Sequence, residues 1–426
     1  MIKKIIAGVC LIFSAAGFSQ ENNASPYSYY GIGDVKFKGS VENRSMGGLG
    51  ILPDSIHINM QNPGTYSTLK LTTYTVGASN TSTAFKSDSG NDSANRTTFD
   101  YIAVAIPLNK LGVAFGLMPY TSVGYKIANI VVDPVDQLRR SRSFEGSGGI
   151  NRVFAGASYQ ITPKFSLGAD FQYNFGNTET KSIISVVDPT NVVLIQYPTR
   201  EVNATEYSGV SFNIGGVYKG KIKKLDWITS ATFTPESTLK STSDRTFATI
   251  TLTSAGNESV IDQLDNESVS VNMKMPSKVS IGTGVGEARK WFAGLEFTTQ
   301  GANKFGNRFD NVTNTGFESS QKFSAGGYFI PNFMSFNSYL SRVTYRGGLK
   351  YEKTGLVIND EGINDLGFTL GMGLPLGGTI GGSNLNIGVE FGKRGTKKMN
   401  LIQENYVNIM VSLSLNDRWF IKRKYD

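Results

Sequence analysis

The sequence predicts an all-β protein: a transmembrane antiparallel β-barrel of about 14 strands with an N-terminal lumenal plug. Three observations lead there. Amphipathic strand candidates recur from Leu69 to Leu415. Short and long connections alternate between them. No stretch beyond the N-terminus approaches the roughly 18 apolar residues a spanning helix needs, so strands are the way across a bilayer.

The last candidate shows the pattern. Val407, Ile409, Val411, Leu413 and Leu415 share one face of the strand, and Tyr406, Asn408, Met410, Ser412 and Ser414 share the other. Phe165–Phe175 repeats it, with Phe165, Leu167 and Phe171 set against Ser166, Asp170, Gln172 and Asn174. So do Trp291, Ala293, Leu295 and Phe297 against Gly294 and Glu296. A soluble sandwich shows the same period of two. Strand length and loop parity favour the barrel, because a tilted strand needs roughly 9–11 residues to cross the hydrocarbon.

The candidates cover approximately 69–84, 97–108, 111–125, 148–161, 165–177, 203–219, 227–241, 269–285, 291–305, 319–330, 341–355, 362–375, 383–395 and 404–415. Tight connections such as Asn109-Lys110 and Thr162–Lys164 follow the even-numbered strands. Long polar ones follow the odd-numbered strands: Phe85–Arg96, Lys126–Ser147, Thr178–Val202, Thr242–Ser268 and Gly306–Glu318. Short turns face the periplasm in outer-membrane barrels, so both barrel termini are expected there, in an integral protein of a bacterial outer membrane. Pro331–Leu340, with Phe333, Met334 and Phe336, departs from the pattern and reads as a lumen or interface insert.

The chain opens with Met1-Ile-Lys-Lys and the apolar Ile5–Phe13, a secretory signal peptide expected over residues 1–19. Cys10, the single cysteine, leaves with it, and no disulfide or cysteine metal site is expected afterwards. Net charge is +8, or +6 once Lys3 and Lys4 are removed, and the scattered Lys/Arg clusters come with no nucleic-acid-binding signature. Trp227, Trp291 and Trp419 all fall beside short turns or the last strand, where a periplasmic aromatic girdle would sit. Lys221, Lys223, Lys224, Arg289, Lys290, Lys422 and Arg423 lie on the same side. They read as a solvated rim, or as a docking patch in which Lys223, Lys224, Lys422 and Arg423 contact a partner. Lys393, Arg394, Lys397 and Lys398 belong to the outer side, where lipopolysaccharide phosphates are the simplest partner.

The remaining boundaries are a plug or hatch segment over 20–68, a barrel over 69–415 and a basic periplasmic tail over 416–426. The 20–68 segment lacks alternation. It would fold back into a lumen this wide, the other reading being a disordered tail. Within it, Arg44-Ser-Met-Gly-Gly-Leu-Gly50 followed by Asn62-Pro-Gly64 resembles the FadL-like family of outer-membrane barrels. The family has Asn-Pro-Ala where this chain has Gly64. The resemblance implies fourteen strands and a lumenal hatch, with Ser45, Met46, Gly47, Gly48, Asn62 and Pro63 as hatch-forming positions. It also implies one of two roles: transport of hydrophobic compounds, or service as a partner barrel in protein-export machinery.

No enzyme, metal site or cofactor is expected. His57 is the only histidine and reads as a hydrogen-bonded hatch residue near Asp54 and Ser55. Gly282, Gly284 and Gly286 alternate on one strand face and read as small lumen residues that make room for the hatch. Passive transport of a hydrophobic small molecule is the first functional expectation, with Ile51, Leu52, Ile56, Ile58 and Met60 as apolar ligand contacts. The alternative is a plugged, non-conducting barrel in an outer-membrane secretion or assembly complex, favoured by small and polar lumen residues such as Asp170, Gln172, Asn174, Glu296, Gln300 and Asn408. Outer-membrane lipid is a partner under either. Val411→Arg is expected to be costly on the lipid face, and Ser412→Arg milder.

Overall fold

The computed structural model describes residues 23–132, 134–135, 137–188, 193–252, 257–302, 314–376 and 382–419. The expected signal peptide, Lys422 and Arg423 lie outside the described residues.

The strands are β1 (Asp34–Val35), β2 (Thr72–Lys86), β3 (Asn91–Leu108), β4 (Leu111–Ser122), β5 (Tyr125–Val132), β6 (Arg139–Thr162) and β7 (Phe165–Asp188). They continue as β8 (Val193–Ile222), β9 (Leu225–Thr234), β10 (Ser237–Leu252), β11 (Glu258–Met275), β12 (Lys278–Glu287) and β13 (Trp291–Gln300). The last are β14 (Thr315–Phe317), β15 (Ser320–Phe329), β16 (Thr344–Ile358), β17 (Glu361–Pro375), β18 (Asn384–Arg394) and β19 (Gln403–Asp417).

Three crossings are each made of two strands. β4 and β5 bend at Val123-Gly124, β9 and β10 at Pro235-Glu236, and β11 and β12 at Pro276-Ser277. Proline removes a ladder donor, so a bend is the natural place for it. With β1 in the N-terminal segment and β14 a short rung on β16, fourteen antiparallel crossings remain. β19 closes the ring on β2, from Gln403 opposite Lys86 to Asp417 opposite Thr72.

All fourteen expected strands are present, but the long polar connections are shorter than the sequence implies. β7 and β8 stay paired to Asp188 opposite Val193, through most of the span read as the Thr178–Val202 loop. β2 and β3 continue to Lys86 and Asn91, and β10 and β11 to Leu252 and Glu258. Loss of apolar alternation marks where the strand leaves the bilayer, while backbone pairing continues into water on its own hydrogen bonds.

Facing follows the alternation. Val407, Ile409 and Val411 point outward, while Asn408, Met410, Ser412 and Ser414 are buried inside the ring. Ser412 corrects one expectation: its hydroxyl donates to Glu42 Oε1 at 3.1 Å and it is 1 % exposed, so arginine has no room there. The tryptophans share the short-turn end. Trp227 Nε1 donates to Thr283 Oγ1 at 2.9 Å, Trp291 starts β13, and Trp419 packs on Tyr74.

Val411→Arg should lower the stability of the barrel in lipid vesicles by roughly 2–4 kcal/mol, read from a urea titration. An unchanged midpoint would mean that Val411 does not face the hydrocarbon.

Candidate functional site

The interior of the ring is occupied by residues 23–71, which touch strands around the whole circumference. Ser25 Oγ donates to Glu404 at 2.5 Å, Gly47 N to Thr369 Oγ1 at 3.0 Å and Gly50 N to Glu296 Oε2 at 2.7 Å. On another side of the ring, Ser158 and Ser166 donate to the Gly64 carbonyl at 3.1 and 2.7 Å.

Each motif residue has a local reason. Gly47 and Gly48 adopt φ of +72° and +81°, where side chains are strained, and a Cβ on Gly47 would lie 2.5 Å from the Leu349 carbonyl oxygen. Ser45 donates to the Val41 carbonyl at 2.7 Å, and Met46 is buried with Leu49, Ile51 and Phe292. Asn62 caps the 3-10 helix Pro63–Thr68 by accepting from Gly64 N at 2.9 Å, and Pro63 supplies the fixed φ at its start. The departure at Gly64 has a steric cause, since a Cβ there would sit 2.7 Å from the Gly215 carbonyl oxygen.

Buried ion pairs between segment and wall are what the sequence reading missed. Arg44 lies 3.2 Å from Asp100 and 3.3 Å from Glu390. Lys38 reaches Asp365 at 3.3 Å, and Lys350 pairs with both Asp365 and Glu390. Arg394 pairs with Asp34 at 2.7 Å and faces Tyr27, which removes it from the outer basic cluster assigned to it from sequence. Glu42 accepts from Asn386 at 2.6 Å and from Ser412 and Ser414. Alternation does put Lys350, Asp365 and Glu390 on inward positions, but nothing in the sequence pairs them with residues some three hundred positions away.

The segment also completes the wall. The β3–β4 ladder stops at Ile102 opposite Leu117, and beyond it β4 pairs instead with β1, Asp34 opposite Ser122 and Val35 opposite Thr121. Asn23 Nδ2 donates to the Ser122 carbonyl at 3.1 Å, Ser28 exchanges hydrogen bonds with Gly124, and Arg96 Nε donates to the Asn23 carbonyl at 3.3 Å. β1 therefore takes the place of β3 beside the end of β4, and the Arg96 side chain links the segment to β3.

The five apolar candidates do not converge on one pocket. Ile51 packs against Gly282 and Gly294, and Ile58 and Met60 are buried in the core with Tyr66, Tyr101 and Phe154. Leu52, Ile56 and one side of Ile58 border a cleft at the short-turn end with His57, Tyr328 and Phe333. Of the three alternating glycines, Gly282 makes room for Ile51, while Gly284 faces Phe292 and Gly286 adjoins the Trp291 carbonyl. Lys223 and Lys224 form an exposed turn at that same end.

His57 Nδ1 lies 2.7 Å from Asp54 Oδ2. Burial opposes ionisation of Asp54, but His57 and the Ile56 N–H hold its carboxyl down at about 2. A folded value below the ordinary 3.8 means this tie contributes stability above that pH and loses it as the pH falls toward 2.

This geometry defines the chain as an integral outer-membrane β-barrel of FadL-like architecture. The sequence matches the BamG family over residues 1–426, and the chain belongs to that family. No curated protein matches it. Among solved structures it is similar to the Pseudomonas putida toluene transporter TodX, with 13 % identity, TM-score 0.57, and coverage of 91 % of this chain and 100 % of that one. It is also similar to a Pseudomonas aeruginosa FadL homologue, with 10 % identity, TM-score 0.58, and 92 % and 100 % covered. A third is the Ralstonia pickettii toluene transporter TbuX, with 12 % identity, TM-score 0.55, and 90 % and 99 % covered. At such identities the likeness shows the fold alone.

Arg44→Met should cost about 3 kcal/mol by leaving Asp100 without its cation and Glu390 with Lys350 alone. The readouts are a lower urea midpoint in vesicles and faster trypsin cleavage at Lys36 or Lys38; neither change would mean the pairs do not hold the segment. Asp54→Asn should remove part of the acid sensitivity of the segment between pH about 4 and about 2, followed by pepsin cleavage.

Proposed function

We propose that this chain is a plugged, non-conducting barrel without enzymatic activity, serving as a subunit of an outer-membrane protein assembly or secretion complex. The observation that carries this reading is the N-terminal segment, joined by ion pairs to β3, β17 and β18, by hydrogen bonds to β6, β7, β13 and β19, and paired through β1 with the end of β4. The cavities beside it are lined by charged groups such as Lys278, Lys322, Glu296 and Glu352, which suit water better than a hydrocarbon. Membership of the BamG family supports the same reading. The short-turn face, periplasmic by the usual orientation of such barrels, carries Lys221, Lys223, Lys224, Arg289 and Lys290 as an electrostatic contact for other subunits.

A second reading, passive transport of a hydrophobic small molecule, draws support from the fold of the toluene transporters and from the cleft bordered by Leu52, Ile56, Tyr328 and Phe333. Release of such a molecule would require the segment to leave its ion pairs.

Native protein extracted from outer membranes in mild detergent should migrate as a larger assembly with reproducible protein partners. Charge reversal at Lys223, Lys224, Lys422 and Arg423 should strip those partners while the barrel keeps its heat-modifiable mobility. A lone barrel carrying lipid, together with slower uptake of labelled toluene or long-chain fatty acid in cells lacking the protein, would shift the assignment to transport.

A further inference from the structure

The cleft at the short-turn end carries more positive charge than nearby carboxylates balance. Lys70, Lys219, Arg289, Arg342 and Arg346 border it, against the carboxylates of Glu42 and Asp54. Both carboxylates are already engaged. Asp54 accepts from His57 Nδ1 at 2.7 Å, and Glu42 accepts from Asn386, Ser412 and Ser414. Among the described residues, none of the five cations forms an ion pair.

Three of the five are nonetheless held in place. Arg346, 7 % exposed, donates to Asn386 Oδ1 at 3.0 Å and reaches Glu42 only through that amide. The Arg289 guanidinium lies over the Phe333 ring and that of Arg342 over the Tyr339 ring, 4.9 and 5.5 Å from the centroids. Arg342 Nε is buried with no hydrogen-bond partner among the described residues. Partly buried cations without counter-charge are costly, so the cleft favours an occupant that brings negative charge.

The rest of the chain at this end does not supply it. Residues 377–381, between β17 and β18, are uncharged, and residues 420–426, after β19, hold Lys422, Arg423 and Lys424 against the acidic side chain of Asp426. Nor does bilayer lipid border the cleft, which lies inside the ring between segment residues such as Glu42 and Met46 and the buried wall residues Arg346 and Asn384. Its cations are spread over β8, β16, the β12–β13 and β15–β16 connections and the end of the segment. One phosphate or carboxylate group meets only part of such a set, whereas a chain with successive acidic side chains meets all of it. Leu52, Ile56 and Phe333 set an apolar patch among the charges. With a volume of about 390 Å³, the cleft takes a short segment and not a folded domain.

We propose that this cleft docks an extended segment of another subunit, in which acidic side chains flank an apolar one. This rests on the reading of the chain as a subunit of a complex.

The test places a photo-crosslinking phenylalanine analogue at Phe333 or, as a control on the outer face of β7, at Phe171, in cells making the full chain. Phe333 should capture a protein whose cross-linked peptide, mapped by mass spectrometry, holds several Asp or Glu beside an apolar residue, and Phe171 should capture lipid alone. Lys219→Gln combined with Arg342→Gln should cut the capture at Phe333 several-fold while the barrel keeps its heat-modifiable mobility. Lys219→Arg combined with Arg342→Lys should keep it. Lys70→Gln, at an exposed position, should weaken it by itself. A captured peptide without acidic residues, a lipid adduct alone at Phe333, or capture indifferent to the glutamine substitutions in a folded barrel would overturn the proposal. No adduct at Phe333 within an assembly that survives mild detergent would remove the docking site and leave the complex reading standing. A lone barrel in mild detergent with no protein adduct would overturn both.

Discussion

Closing fourteen strands into a ring turns one face of every strand toward an interior that lipid cannot solvate, and that inward polar face governs the rest of the structure. Asp170, Glu296, Lys350, Asp365 and Glu390 are all buried there. A buried charge without a partner is costly, so the interior must be either water-filled or matched by other protein groups. Residues 23–71 supply the match, with Arg44 and Lys38 for the carboxylates and Gly50 N for Glu296. The core of the protein is consequently the contact between segment and wall, where Tyr66, Ile58 and Met60 meet Tyr101, Phe154 and Met410.

The glycines follow from the same constraint. Gly47 and Gly64 approach wall carbonyls too closely for any side chain, and Gly124 approaches the Asn23 carbonyl in the same way. Backbone-to-backbone approach of this kind binds the segment at fixed depth. It also explains why β1 can stand in for β3 as the neighbour of β4. The basic short turns and the apolar 330–343 connection lie together at one end of the ring.

Much of this was legible in the sequence. The alternation in Asn405–Leu415 and Phe165–Phe175 fixes facing residue by residue, and the parity of the connections fixes which end carries the short turns. The Ser45–Gly48 and Asn62-Pro63 stretches lie in the segment whose residues bond to the inner wall. The lengths of the outer hairpins were not legible, because polar strands in water look like loops when only hydrophobicity is read. The expectation that Ser412→Arg would be the milder change lacked one fact for a related reason: alternation shows that Ser412 points inward, but not that Glu42 meets it there.

The sequence by itself determined the fold class, the strand count and which end of the ring carries the short turns, because these depend on a period of two and on local turn chemistry that each strand carries alone. Only the tertiary structure decided which groups meet inside the ring. Arg44 finds Glu390, Ser25 finds Glu404 and Asp34 finds Arg394 through ring closure, which brings together residues separated by more than three hundred positions. Such pairings depend on strand register and on the path of an irregular segment, and neither leaves a periodic trace in the chain.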